Sequence, residues 1–211
     1  MIPRFPVYLF DVDGTLVDSA PDICAAVQSV LHSRGRFDVP DAVLRTYIGK
    51  HLDETWRDLG FPESEWAPML ADYRVTYAGR GHKLTVPYPG SLAGLAGLAG
   101  ARKSTATTKG TPTTRIVLEL FGMLPHFDHV QGTDGFPAKP EPDVILKSLA
   151  IFGVDPKDVL MVGDAESDMA AARAAGVSVC AVRFGYGTVE NLAKWKPDYW
   201  IDDLRELSEA V

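Results

Sequence analysis

The chain has 211 residues, 46% hydrophobic and 23% charged, with a net charge of -7. This length and balance suit a soluble globular protein with a proper core, and the acidic surplus excludes non-specific nucleic-acid binding, which needs Lys and Arg to neutralise phosphates. Cys24 and Cys180 are the only cysteines, far apart in sequence and outside any C-x-x-C spacing, so no disulfide is expected and a reducing cytoplasm is the default setting.

The first six residues are too short and too soon interrupted to read as a signal peptide. Val7–Phe10 is an apolar run that stops at Asp11, Val12, Asp13, Gly14 and Thr15, which reads as a buried strand delivering carboxylates at its C-terminal end. In a strand, residues i and i+2 face the same way, so Asp11 and Asp13 would repel unless a cation sat between them; oxygen-only ligands suit Mg²⁺. Taken alone, the stretch also reads as solvated aspartates capping a strand before a glycine turn.

Apolar residues at Ile23, Val27, Val30 and Leu31 predict a helix over 20–34, ending near Gly35. Three more helical patches follow at 41–48, 52–59 and 63–78, separated by Gly49, by Gly60-Phe61-Pro62 and by Gly79-Arg80-Gly81, and no strand signal interrupts them. This all-helical unit ends at the breaker Val86-Pro87-Tyr88-Pro89-Gly90. Near its Gly49 turn, Arg45, Lys50 and His51 are candidates for contacting a carboxylate or second phosphate of a substrate, although such groups are also ordinary solvated surface.

From Ser91 the pattern changes to alternating helix and strand. The longest apolar run, Leu92–Ala101, is about half of what a membrane span requires and carries glycines at 94, 97 and 100. Each interior glycine costs about 1 kcal/mol relative to alanine, so close packing against the sheet must hold this helix. Strands are predicted at 103–107, 127–130, 159–162 and 177–182, and helices at 112–121, 143–152 and 166–175. Alternation of this kind implies right-handed crossovers and a doubly wound parallel sheet, with ligands outside the C-terminal strand ends. The expected organisation is a Rossmann-like α/β core of residues 1–16 and 87–211 with an inserted helical cap domain of residues 17–86.

Three further clusters lie at expected strand ends or loops. Thr107-Thr108-Lys109-Gly110 offers hydroxyls and free N–H groups at a helix entrance, a phosphate cradle or simply a helix cap. Lys139 stands among prolines in Ala138-Lys139-Pro140-Glu141-Pro142, where a rigid backbone could fix a cation beside a carboxylate. Asp164 and Asp168 are spaced i, i+4 after Val159–Val162, which suits either metal ligation or an N-cap followed by a first-turn acid.

Taken in order, D-x-D-G-T, the Thr-ended second strand, K-P-x-P and G-D-x-x-x-D resemble the four motifs of the haloacid dehalogenase-like (HAD) superfamily. The chain is most similar to its phosphoglycolate phosphatase-like subgroup, whose insertion after the first motif is a C1 cap. That resemblance implies Asp11 as nucleophile on phosphorus and Asp13 as general acid and base. It implies Mg²⁺ held by the Asp11 carboxylate, the Asp13 backbone carbonyl and Asp164, with Asp168 completing the motif. Thr107 and Lys139 would position the phosphoryl group, and Gly14 would permit loop movement. Relatives usually carry Asn where this chain has Thr108, so Thr108 enters only as a phosphate-side candidate. The resemblance favours a small phosphorylated metabolite, 2-phosphoglycolate first, handled by a monomer or homodimer with no nucleic acid or membrane partner. Pyrophosphate, a nucleoside monophosphate, a sugar-phosphate mutase reaction and phosphonoacetaldehyde remain alternatives, as does a degenerate, non-enzymatic binding module.

Overall fold

The computed structural model describes residues 2–208; Met1 and residues 209–211, which the sequence reading assigned to the core, lie outside the described residues. A five-stranded parallel sheet runs in the order β4-β1-β5-β6-β7, formed by β1 (Val7–Phe10), β4 (Arg102–Thr105), β5 (Val159–Gly163), β6 (Ser178–Val182) and β7 (Tyr199–Ile201). Its period-2 alternation fills both faces. Tyr8, Phe10, Leu160 and Val162 join one core cluster, while Val7, Leu9, Val159 and Met161 join the other. On the first face pack α5 (Ser91–Gly97) and α6 (Thr111–Leu120), and on the second α7 (Asp143–Phe152) and α8 (Glu166–Ala175). A short α9 (Val189–Ala193) precedes β7.

Between residues 18 and 86 the chain forms four consecutive helices: α1 (Ala20–Ser33), α2 (Asp41–Arg45), α3 (Leu52–Asp58) and α4 (Glu63–Arg80). They enclose their own cluster of Cys24, Val27, Leu31, Trp56 and Met69, distinct from both sheet clusters. The helix expected over 41–48 stops at Arg45, where the Thr46 hydroxyl bonds the Val43 carbonyl and the chain turns toward Gly49, whose φ is +89°. The helical unit leaves and rejoins the core through a two-stranded antiparallel clasp of β2 (Val17–Asp18) and β3 (Val86–Pro87), too short for sequence periodicity to reveal. Among the described residues, no helix is long and apolar enough to cross a membrane.

Two other expectations change. Residues 127–130 form no strand; they make one isolated bridge, Ser104 to His129. Side chains take over the ladder there: Asp128 accepts from the Lys103 N–H, and the Thr105 hydroxyl accepts from the Gln131 N–H and donates to its carbonyl. The glycines of α5 serve close approach, though to the 3₁₀ turn of Leu204–Leu207 and not to the sheet: a Cβ on Gly94 would lie 2.6 Å from the Leu204 carbonyl oxygen.

Beside the clasp, buried Asp22 on α1 accepts from Arg80 Nε (2.9 Å), the Leu84 N–H (2.8 Å) and the Thr85 hydroxyl (2.9 Å), tying the start of the helical unit to its end. Burial alone would raise its pKa, but these three donors outweigh burial and hold it below the usual carboxylate value. A depressed carboxyl contributes stability that is complete above the unfolded value of about 4 and drains as the pH falls through the folded one. Asp22→Ala should therefore cost about 3 kcal/mol in denaturant unfolding at neutral pH. The gap from the unmodified protein should narrow as the pH drops below about 4.

Candidate active site

The C-terminal ends of β1, β4 and β5 converge on one buried cluster. The Asp11 N–H bonds the Val162 carbonyl (2.9 Å), extending the β1–β5 ladder one residue beyond the strand. The chain then turns, with the Leu16 and Val17 N–H groups both bonding the Val12 carbonyl. Gly14 lies in this turn at φ +97°, where a Cβ would sit 2.2 Å from an Asp164 oxygen, so no side chain fits.

Lys139 Nζ lies 2.9 Å from Asp11 Oδ1 and 2.5 Å from Asp168 Oδ1. The other Asp168 oxygen accepts from the N–H groups of Asp164 and Ala165, capping α8, so Ala165 and not Asp164 is the N-cap residue. Asp164 is gripped by the Thr15 hydroxyl (2.9 Å) and the Tyr186 N–H (2.8 Å). Asp11 Oδ2 accepts no hydrogen bond from a described residue. One oxygen each of Asp11, Asp164 and Asp168 lies within 4.8 Å of the others. These three carboxylates face the single ammonium of Lys139 and leave two negative charges, which a divalent cation would offset.

The electrostatics carry that imbalance. Burial, only partly opposed by Lys139 and reinforced by Asp168 and Asp13, lifts the Asp11 pKa to about 6. Burial and then Asp168 and Asp11 push Asp164 well above its ordinary value. Burial alone would lower the Lys139 pKa, yet Asp11 and Asp168 beside it raise it.

Asp13 does not point into this cluster. Strand geometry ends at Phe10, and the Asp13 carboxylate instead accepts from the Ser19 hydroxyl (2.5 Å) and pairs with Lys109 Nζ (3.2 Å). The i, i+2 spacing predicts that the side chains of Asp11 and Asp13 face one cation, whereas the Asp13 carboxylate turns to Ser19 and Lys109 and only Asp11 joins Asp164 and Asp168. Asp13 lines a cavity of about 460 Å³ between the helical unit and the loops after β4, with Lys50, His51, Tyr73, Tyr77 and Lys109 also in its wall.

Thr107 is buried two residues past the end of β4, and its hydroxyl accepts from the Lys109 N–H (3.3 Å). The Thr108 hydroxyl reaches across to the Gly49 carbonyl (3.2 Å), joining the core loop to the helical unit. Of the three basic candidates near Gly49, Lys50 and His51 line the cavity and Arg45 is exposed outside its wall. His51 also caps α3, its Nδ1 accepting from the Asp53 N–H.

The sequence names Lys109 only as a member of the cluster at 107–110, with no role for its ammonium, and does not single out Tyr73 or Tyr77. The two tyrosines are four apart on α4, a spacing that also describes any buried helix face, and they stack with centroids 5.5 Å apart. Tyr186 was missed as well: besides its N–H on Asp164, its hydroxyl accepts from the N–H groups of Ser19 and Ala20 and donates to Asp18.

A family model for haloacid dehalogenase-like hydrolases matches residues 8–182, a span that contains the whole acidic cluster and both lysines. The chain belongs to this family. It is 35% identical to phosphoglycolate phosphatase 1 of Pseudomonas aeruginosa, over 98% of this chain and 79% of that one. It is 36% identical to the tyrosine-protein kinase PtkA of Mycobacterium tuberculosis, over 94% and 70% respectively. A predicted phosphatase from Clostridium acetobutylicum superposes with a TM-score of 0.90 at 27% identity, covering 97% of each chain. With this family and these relatives, the chain is a phosphoric monoester hydrolase.

If the acidic cluster receives a divalent cation, adding Mg²⁺ to chelator-treated protein should raise its melting temperature. A concentration of 100 times Kd stabilises by about 2.7 kcal/mol. Asp164→Ala should abolish most of that shift in differential scanning fluorimetry. Asp168→Ala should act mainly by lowering the melting temperature in the absence of the ion, since it frees Lys139 and uncaps α8.

Proposed function

We propose that the protein is a Mg²⁺-dependent phosphatase that hydrolyses a small phosphomonoester, 2-phosphoglycolate first, through an aspartyl-phosphate on Asp11. The observation that carries this reading is the Asp11 carboxylate itself: buried, anchored through one oxygen by Lys139 and, among the described residues, unpartnered at the other, with Asp13 facing the cavity from the same loop.

In the proposed reaction the open oxygen of Asp11 forms a bond to phosphorus while the bond from phosphorus to the leaving oxygen breaks. Asp13 gives a proton to that leaving alkoxide. Water then attacks the phospho-enzyme, Asp13 takes its proton, and inorganic phosphate departs with Asp11 restored. Splitting one displacement into two is the logic of covalent catalysis. Lys139 steadies negative charge on the carboxylate and the phosphoryl oxygens, and the Thr107 hydroxyl with the N–H groups of its loop orients them. Mg²⁺, held by Asp11, the Asp13 carbonyl and Asp164, would offset the combined charge of carboxylate and phosphate.

Residues 17–86 serve in this reading as a cap domain over the site, with residues 1–16 and 87–211 as the core, and the cavity between them receives the leaving group. A reducing cytoplasm fits the cysteines: both are buried and free, and burial pushes the Cys24 thiol up to about 11, which keeps it inert.

The test is phosphate release from 2-phosphoglycolate, pyrophosphate, a nucleoside monophosphate and a sugar phosphate, with and without Mg²⁺. Asp11→Asn should cut Mg²⁺-dependent turnover by roughly 10³-fold or more while leaving the melting temperature near that of the unmodified protein. Release from none of these compounds with metal present would overturn the reading.

A further inference from the structure

Helix α1 begins without a cap of its own. Ser19 stands at its N-cap position but holds right-handed helical angles (φ −105°, ψ −1°), and its side chain makes no capping bond. An N-cap residue ordinarily lies in the β region and offers its oxygen to the N–H of the second or third helical residue. Here the second helical residue is Pro21, which has no N–H to give. The Tyr186 hydroxyl supplies the acceptor from far along the chain. It takes the N–H groups of Ser19 (2.8 Å) and Ala20 (2.9 Å) and donates to Asp18 Oδ1 (2.9 Å). The Ala20 N–H also reaches that Asp18 oxygen (3.2 Å), so the Ser19 N–H depends most on the phenol.

This external cap leaves the hydroxyl of Ser19 for another task. Ser19 is fully buried, and its Oγ donates to Asp13 Oδ1 while Asp13 Oδ2 pairs with Lys109 in the cavity wall. The Asp13 carboxylate is therefore held at both oxygens, and its rotation is fixed. An N-cap serine in its ordinary β conformation directs Oγ at the first turn of its own helix; the helical conformation of Ser19 directs it at Asp13.

The phenol is aimed by a loop pressed onto Asp164. The Tyr186 N–H donates to Asp164 Oδ2 (2.8 Å), and a Cβ on Gly185 would lie 2.2 Å from the Asp164 Cβ. On Gly187 it would lie 2.0 Å from the Asp164 carbonyl oxygen. No side chain fits at either neighbour, so Tyr186 reaches α1 from a fixed base at the end of β5.

Resting on the phosphatase reading above, we propose that Tyr186 is a positioning residue for Asp13: by capping α1 from outside, its hydroxyl keeps Ser19 in the conformation that aims the serine hydroxyl at the Asp13 carboxylate. Without the phenol oxygen, the buried Ser19 N–H loses its acceptor, and a buried unpaired N–H is costly. Ser19 relieves that cost by moving to ordinary N-cap geometry, with its hydroxyl on the Asp22 N–H and off Asp13. Asp13 then keeps Lys109 alone and is mis-set for proton transfer to the leaving oxygen.

The experiment compares kcat/KM, with Mg²⁺, for 2-phosphoglycolate and p-nitrophenyl phosphate in the unmodified protein, Tyr186→Phe, Ser19→Ala and the double variant. An alkoxide needs a proton from Asp13 to leave, whereas p-nitrophenolate leaves without one. Because kcat/KM covers the reaction only up to departure of the leaving group, it separates this proton from the one Asp13 later takes from water. Tyr186→Phe keeps the N–H on Asp164 and should lower kcat/KM for 2-phosphoglycolate roughly tenfold or more, with p-nitrophenyl phosphate changed by less than about threefold. Ser19→Ala should give the same pattern, and adding Tyr186→Phe to it should cost less than about threefold further, because both changes remove one contact. Equal loss on the two compounds in Tyr186→Phe would mean that the tyrosine only seats α1 or Asp164, and would overturn the proposal. So would single losses that multiply in the double variant. A crystal structure of Tyr186→Phe with Ser19 Oγ still on Asp13 would overturn it whatever the activities. Each of these results leaves the phosphatase reading standing, whereas an unmodified protein that releases phosphate from neither compound would end both.

Discussion

The Lys139 ammonium, lodged between Asp11 and Asp168, is the interaction on which the site depends. Three buried carboxylates at the ends of neighbouring elements would otherwise drive one another apart or remain protonated, and burial, opposed only in part by this one lysine, raises the pKa of Asp11. The proline-flanked loop, the N-terminus of α8 and the turn after β1 each contribute one member. Their arrangement is a property of the sheet: β1 and β5 are paired in register from Val7 to Phe10, so their ends present Asp11 and Asp164 at the same edge. The residual negative charge is a standing electrostatic cost within a stable core. Functional sites characteristically carry such costs.

The other half of the site belongs to two elements separated in sequence. Thr108, from the loop after β4, and Ser167, in the first turn of α8, both donate to the Gly49 carbonyl of the helical unit, and Lys109 meets Tyr77 of α4. Tyr186 binds the other side, with its N–H on Asp164 and its hydroxyl on the N–H groups of Ser19 and Ala20 at the start of α1. The position of the helices and the orientation of the acidic cluster are therefore linked through hydrogen bonds at several points, not through a single hinge.

Much of this was legible in the sequence where one physical signal dominated. Short β-branched apolar runs such as Val159–Val162, bounded by turn residues, suit a strand buried on both faces, and α7 and α8 begin and end where their turn residues place them. The acidic pairs stand out through their number and position, and the structure brings Asp11, Asp164 and Asp168 together. What stayed hidden depends on contacts distant along the chain. The turn of Asp13 toward Lys109 follows from β1 ending at Phe10, and the loss of a strand at 127–130 follows from Asp128 and Thr105 replacing backbone partners. The tyrosines of α4 carry the same periodicity as ordinary core residues, so only the cavity beside them distinguishes their role.

The clasp of Val17–Asp18 with Val86–Pro87 brings the exit and return of the helical unit side by side. To the sheet, everything in between is equivalent to one tight turn. The entropy of closing that turn is set by the paired ends and rises only slowly with the length spanned, while the inserted helices hold a core of their own. Evolution can thus lengthen, shorten or replace the insert without disturbing the register of β1 or the alignment of Asp11. The wall of the cavity can change while the buried carboxylates stay where they are.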